Sequence, residues 1–148
     1  MKSYSIKLAQ KSDINSWMKL IEKVKNNFPG LEVENYKNAL IKNIYRGTAI
    51  CAKDSNKIVG ALLFSYISNC LSFLAVHSEY RRKGIASALI EKMLTMLPDN
   101  VDISVTTFRK NDKKGKASRA LYKKFGFIED KLVEKHGYPL QKFILHRK

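Results

Sequence analysis

Leu74-Ala75-Val76-His77-Ser78-Glu79-Tyr80-Arg81-Arg82-Lys83-Gly84-Ile85-Ala86 is the stretch on which the reading of this chain turns. It opens as an apolar strand and passes straight into a helical pattern. In that pattern Ile85, Leu89, Met93 and Leu97 share one face. Three consecutive cations stand before Gly84 at the helix entry. Free N–H groups at a helix start point outward, and the helix dipole favours an anion there. Gly84 lets a ligand approach the backbone closely, and Ala86 keeps the next turn small. The segment has the make-up of a phosphate-binding turn; a solvated basic helix start is the alternative. It matches neither the GxxxxGK[ST] loop nor the GxGxxG fingerprint.

Outward from this run, the chain alternates between the two periodicities. Residues 4–8 alternate apolar and polar and predict a first strand. Ser12 or Asp13 can cap a helix carrying the stripe Ile14, Trp17, Met18, Ile21, Val24 and Phe28, which Pro29-Gly30 breaks. Tyr36, Leu40, Ile41 and Ile44 mark a second helix that ends near Gly47. Residues 48–53 and 57–66 read as a hairpin around Asp54-Ser55-Asn56, and residues 70–76 as the next strand. After the 84–97 helix, stopped by Pro98, residues 101–108 predict a strand and 117–125 a helix ended by Gly126. Residues 127–128 and 142–146 read as closing strands. The order is β-α-α-β-β-β-α-β-α-β-β, an α/β or mixed α+β class, and a single domain is expected over 1–148.

Bulk properties narrow the function classes. Hydrophobic residues make up 45% and charged residues 28%, which argues against disorder. Polar residues interrupt MKSYSIKLAQK throughout, so no signal peptide is expected there, and no stretch has the length to span a bilayer. A cytoplasmic location is the expectation. Cys51 and Cys70 sit in apolar, strand-like surroundings and read as small buried hydrophobes. His77, His136 and His146 are scattered, so no metal site is expected. The net charge of +15 favours anionic partners, yet the excess of Lys over Arg, with abundant Asn and Ile, equally suits compositional bias on a solvated surface.

Two motifs resemble a known family. Arg81-x-x-Gly84-x-Ala86 is similar to the [RQ]-x-x-G-x-[GA] signature of the GNAT superfamily of acyl-CoA N-acyltransferases. Ser118-x-x-Leu121-Tyr122-x-Lys124-x-Gly126-Phe127 resembles that family's later helix motif. The resemblance implies a strongly curved mixed sheet flanked by helices, with acetyl-CoA as co-substrate. It implies that Arg81, Arg82, Lys83, Gly84, Ile85 and Ala86 cradle the pyrophosphate. Leu74, Ala75 and Val76 would line the gap taken by the pantetheine arm, with amides near Leu74 and Ala75 facing the thioester carbonyl. Tyr122 would be the general acid toward the departing thiolate. One departure stands out: Gly115 occupies a position where many relatives carry Asn. Lys113, Lys114, Lys116, Arg119 and Lys123 would then meet the ribose phosphate or simply be solvated.

The activity implied is acetyl transfer to a primary amine by direct attack. The acceptor would be a small molecule or a peptide, with no specific nucleic acid and no membrane as partner, and the enzyme a monomer or homodimer. His77, Glu79, Glu32 and Glu34 are candidate bases, and His136-Gly137-Tyr138-Pro139 is a candidate acceptor loop. A catalytically silent CoA sensor and a basic nucleic-acid-binding module are the alternatives. No helix-turn-helix, KH or RRM signature supports the latter.

Overall fold

The computed structural model describes residues 4–147, so residues 1–3 and 148 of the expected domain lie outside the described residues. The helices are α1 (Ile14–Val24), α2 (Val33–Arg46), α3 (Ile85–Met96) and α4 (Lys116–Lys124). The strands are β1 (Ser5–Leu8), β2 (Ala49–Asp54), β3 (Lys57–Ser65), β4 (Cys70–Val76), β5 (Ile103–Phe108), β6 (Ile128–Lys135) and β7 (Tyr138–Leu145). They form one sheet in the order β1-β2-β3-β4-β5-β7-β6, antiparallel except where β4 meets β5. The chain order agrees with the one predicted from periodicity.

Period-two alternation gives the sheet two apolar faces. Ile50 and Ala52 of β2 enter a core with Leu89, Ile90 and Met93 of α3 and Tyr122 of α4. Ala49 and Cys51 enter a separate core with Trp17, Leu20 and Ile21 of α1 and Leu40 of α2. The helices therefore pack in pairs on opposite faces. Both faces of the central strands are covered, so β3 reads as an almost unbroken apolar run.

Two expectations need correction. α1 stops at Val24 and tightens into a 3₁₀ turn over Lys25–Asn27, several residues before Pro29. The closing strands are far longer than 127–128 and 142–146: β6 and β7 form a hairpin of eight residues each. β6 is the edge strand and exposes nearly every side chain, so it has no buried face to impose alternation. Its two-residue turn is His136-Gly137, both with positive φ, as a tight hairpin turn of the primed kind requires.

Candidate active site

The site begins with a failure of pairing. β4 and β5 run parallel, but only Cys70 with Ser104 and Leu71 with Val105 are in register. Beyond them the strands part. A bulge drives the separation: Phe64 opposes Leu71 and Leu63 opposes Phe73, so Ser72 is an extra residue in β4. The bulge at Ser72 lies just upstream of Leu74 and Ala75.

Alternation decides which backbone groups face the gap. The His77 N–H donates to the Val59 carbonyl on β3 at 2.8 Å. On β3 itself, the Phe64 N–H turns the other way, to Thr48 at 3.1 Å. Both bonds put Ala75 and Phe73 in the hydrogen-bonded pairs with β3. Leu74 and Val76 then aim their N–H and C=O groups at the gap. The Ala75 amide turns to β3, a correction to its expected role toward a carbonyl in the gap; Ala75 still lines the opening.

The gap is the waist of a cleft of about 1280 Å³ that passes through the sheet. On the α3/α4 face it is lined by Arg81, Arg82, Gly84, Ala86, Ser118 and Tyr122. On the α1/α2 face it is lined by Phe28, Tyr36, Phe73, Lys142 and the hairpin tip. Phe73 packs its ring against Phe28 at 4.6 Å and against Tyr36 at 4.8 Å, making an aromatic wall. Trp17 Nε1–H fixes the Tyr36 oxygen at 2.9 Å, and burial raises that phenol's pKa.

The α3 turn has an unusual backbone. Arg82 (φ 63°) and Gly84 (φ 77°) are both left-handed, and Arg81 between the strand and helix is extended. The first intrahelical bond runs from Ala88 N–H to Gly84 C=O, and no side chain caps the helix. The N–H groups at the α3 start are thus open to an anion. Arg81, Arg82, Lys83 and Gly84 are exposed, while Ile85 anchors the turn in the core. Arg81, Arg82, Gly84, Ile85 and Ala86 line the cleft. Lys83 does not; its ammonium lies 5.6 Å from the Tyr80 ring centre. Tyr80 donates to Asp54 at 2.6 Å, and that bond raises its pKa.

Tyr122 is 5% exposed and packs against Phe127 and Phe143 at 5.7 and 6.3 Å between ring centres. Burial alone pushes its phenol well above the ordinary range, and no described residue hydrogen-bonds its hydroxyl. Tyr122 is among the residues that line the cleft.

The candidate bases fall elsewhere. His77, 3% exposed, accepts the Glu79 N–H on Nδ1 at 3.1 Å, which leaves the proton on Nε2. Burial, with Lys57 adding to it, holds its pKa below the usual value. It does not line the cleft. Glu79, Glu32 and Glu34 are exposed and also lie outside the lining, and Glu32 accepts from Asn35 at 3.1 Å. His136 does line it, and leans so closely on the α1–α2 loop that a Cβ on Gly30 would sit 2.9 Å from its Cδ2.

The basic residues before and along α4 divide. Lys110, Lys113, Lys116 and Lys123 border a surface hollow of about 410 Å³. Arg119 borders the same hollow, but its guanidinium is engaged inside the protein. At 6% exposure it donates to Phe108 C=O at 2.9 Å and Gln141 Oε1 at 2.8 Å, pairs with Glu129, and covers the Phe143 ring. Sequence reasoning missed this clamp, since nothing local separates Arg119 from the neighbouring lysines. Gly115 also has a packing cause: a Cβ there would meet the Phe108 Cβ at 2.6 Å.

The acetyltransferase (GNAT) family model matches residues 15–127. Among solved structures, a GNAT-family acetyltransferase from Bacillus cereus superposes with a TM-score of 0.78 at 24% identity, covering 98% of each chain. Arabidopsis thaliana Naa50, bound to a bisubstrate analogue CoA-Ac-MVNAL, gives 0.74 at 19% identity over 97% of this chain and 98% of its own. A PaiA N-acetyltransferase from Thermoplasma acidophilum, in complex with coenzyme A, gives 0.73 at 16% identity over 98% and 99%. At these identities the likeness is one of fold. No curated protein sequence matches the chain significantly.

Proposed function

The chain belongs to the acetyltransferase (GNAT) family, and on that premise we propose that it moves the acetyl group of acetyl-CoA to a primary amine by direct attack. The observation that carries the proposal is the gap between β4 and β5, with the outward amides of Leu74 and Val76 on its edge. Acetyl-CoA, when bound, supplies an acetyl group activated as a thioester. Arg81, Arg82, Gly84, Ile85 and Ala86 hold its pyrophosphate at the α3 start, and Lys83 adds charge from outside the lining. Leu74 and Val76 bind the pantetheine arm and polarise the carbonyl from the strand edge, with Ala75 packing beside them.

In the transfer, the amine nitrogen bonds to the carbonyl carbon and the carbon–sulfur bond breaks. Tyr122 gives its proton to the leaving sulfur, and His136 accepts the proton lost from nitrogen. A peptide belongs among the acceptors to test, because the analogue held by the Arabidopsis protein joins CoA-Ac to MVNAL. Action as one 1–148 domain in the cytoplasm, as monomer or homodimer, is part of the same proposal.

The test has two steps. Acetyl-CoA should raise the melting temperature, because a ligand selective for the folded state stabilises it by mass action. A panel of amines should then release free CoA thiol. Binding without release from any amine would replace the enzyme by a CoA sensor, and absence of binding would sink both.

A further inference from the structure

The lining of the cleft contains Arg81, Arg82, Lys114, Lys135 and Lys142, and no aspartate or glutamate among the described residues. Two carboxylates are bonded to tyrosines of the lining. Asp54 accepts from Tyr80 and Asp112 from Tyr138, each at 2.6 Å. Arg81 and Arg82 belong to the α3 turn on one face. The α1/α2 face keeps two lysines of its own, set by strand register. Lys142 lies opposite Thr106, and Lys135 opposite Tyr138 at the hairpin end. Among the described residues neither lysine has a salt-bridge partner. Both charges act on the Cys70 thiol, across the base of the same opening, and oppose the rise in pKa that burial gives it.

We propose that the acceptor is a small primary amine carrying an anionic group, a carboxylate or a phosphate, held by Lys135 and Lys142 against the wall of Phe28, Tyr36 and Phe73. The proposal rests on the acetyl-transfer reading above and names the substrate class for that site. Two physical effects favour it. An anion meeting two unpaired ammonium groups gains charge-assisted hydrogen bonds at the edge of an apolar wall. The same cations disfavour the protonated form of a nearby amine, so it arrives more often as the free nucleophile. A polycationic acceptor meets the same field as repulsion.

The experiment compares matched acceptors with the full chain and acetyl-CoA: phosphoethanolamine against ethanolamine, glutamate against its diamide, and spermidine as the cationic arm. The anionic member of at least one pair should have kcat/KM higher by about tenfold or more, and that pair identifies the anion. In Lys142→Met and Lys135→Met the anionic-to-neutral ratio should fall by about tenfold. Neutral or cationic acceptors that match the anionic ones, or a ratio unmoved in both variants, would overturn the proposal. A readout without turnover guards the test: in CoA-saturated protein, phosphoethanolamine or glutamate should raise the melting temperature where their neutral partners do not. No such difference overturns the proposal even if no amine reacts. Failure of acetyl-CoA itself to bind marks instead the failure of the acetyl-transfer reading.

Discussion

Two basic helix starts in this chain look alike in sequence and differ in structure. Arg81-Arg82-Lys83-Gly84 leads into α3, and Lys113-Lys114-Gly115-Lys116 into α4. At the first, two left-handed residues turn the backbone out, and among the described residues only the Tyr4 oxygen, at 3.9 Å, lies near a Cβ added to Gly84. At the second, Gly115 is right-handed and pressed on Phe108, while Asp112 accepts the Lys114 N–H at 3.0 Å. That carboxylate caps the 3₁₀ turn Lys113–Gly115 ahead of α4, so one N–H of the turn is already taken. Cations before a glycine therefore do not make an anion site; a left-handed turn with open space above it does.

The largest effect is expected from Gly84→Val. Left-handed backbone costs a β-branched residue about 1–3 kcal/mol, and with so little packed above it the protein should stay folded. The rise in melting temperature with acetyl-CoA should vanish. An undiminished rise would mean that the α3 turn is not where the cofactor sits.

Next comes the Tyr122 hydroxyl. Tyr122→Phe keeps the contacts with Phe127 and Phe143 and removes only the proton donor. A fall in kcat of about 10²-fold is expected, with the KM for acetyl-CoA nearly constant. A kcat within about threefold of the parent, with chemistry rate-limiting, would make Tyr122 a core aromatic only.

The second helix start should respond in stability instead. Gly115→Ala forces a methyl into Phe108, at a cost of about 1–3 kcal/mol. Calorimetry should show a lower melting temperature, while acetyl-CoA still stabilises the variant. Loss of that stabilisation would make the two starts equivalent.

The smallest change is expected when Lys113 and Lys116 both become Ala. Exposed charges of this kind contribute little each, so the acetyl-CoA dissociation constant at physiological salt should move by less than about threefold. A larger shift would place a cofactor phosphate in the hollow beside α4.

What the sequence makes legible follows from burial. β4 and the amphipathic helices are pressed on apolar neighbours, so their periodicity is written in residue type. The α3 turn is legible because a left-handed residue and three cations leave marks of their own. β6 is not, since an edge strand reading IEDKLVEK answers to its partner β7 more than to a core. The His136-Gly137 turn was the available signal for that hairpin. Arg119 is hidden for another reason: its partners, Phe108, Glu129 and Gln141, come from three different strands or their flanks, and no local pattern gathers them. The gap is legible only through the family resemblance, because it arises from a register shift at Ser72 and from where β5 stops pairing.

An opening that runs through a sheet has two mouths, and this bears on the order of events. The lining residues of α3 and α4 lie on one face of the sheet, and Phe28 and Lys142 on the other. On the proposed reading, donor and acceptor enter from opposite sides and meet at the waist, so neither must leave before the other arrives. Initial rates measured at several fixed acceptor concentrations should then give intersecting double-reciprocal lines, the pattern of a ternary complex, whereas parallel lines would require the acetyl group to rest on the protein between the two visits.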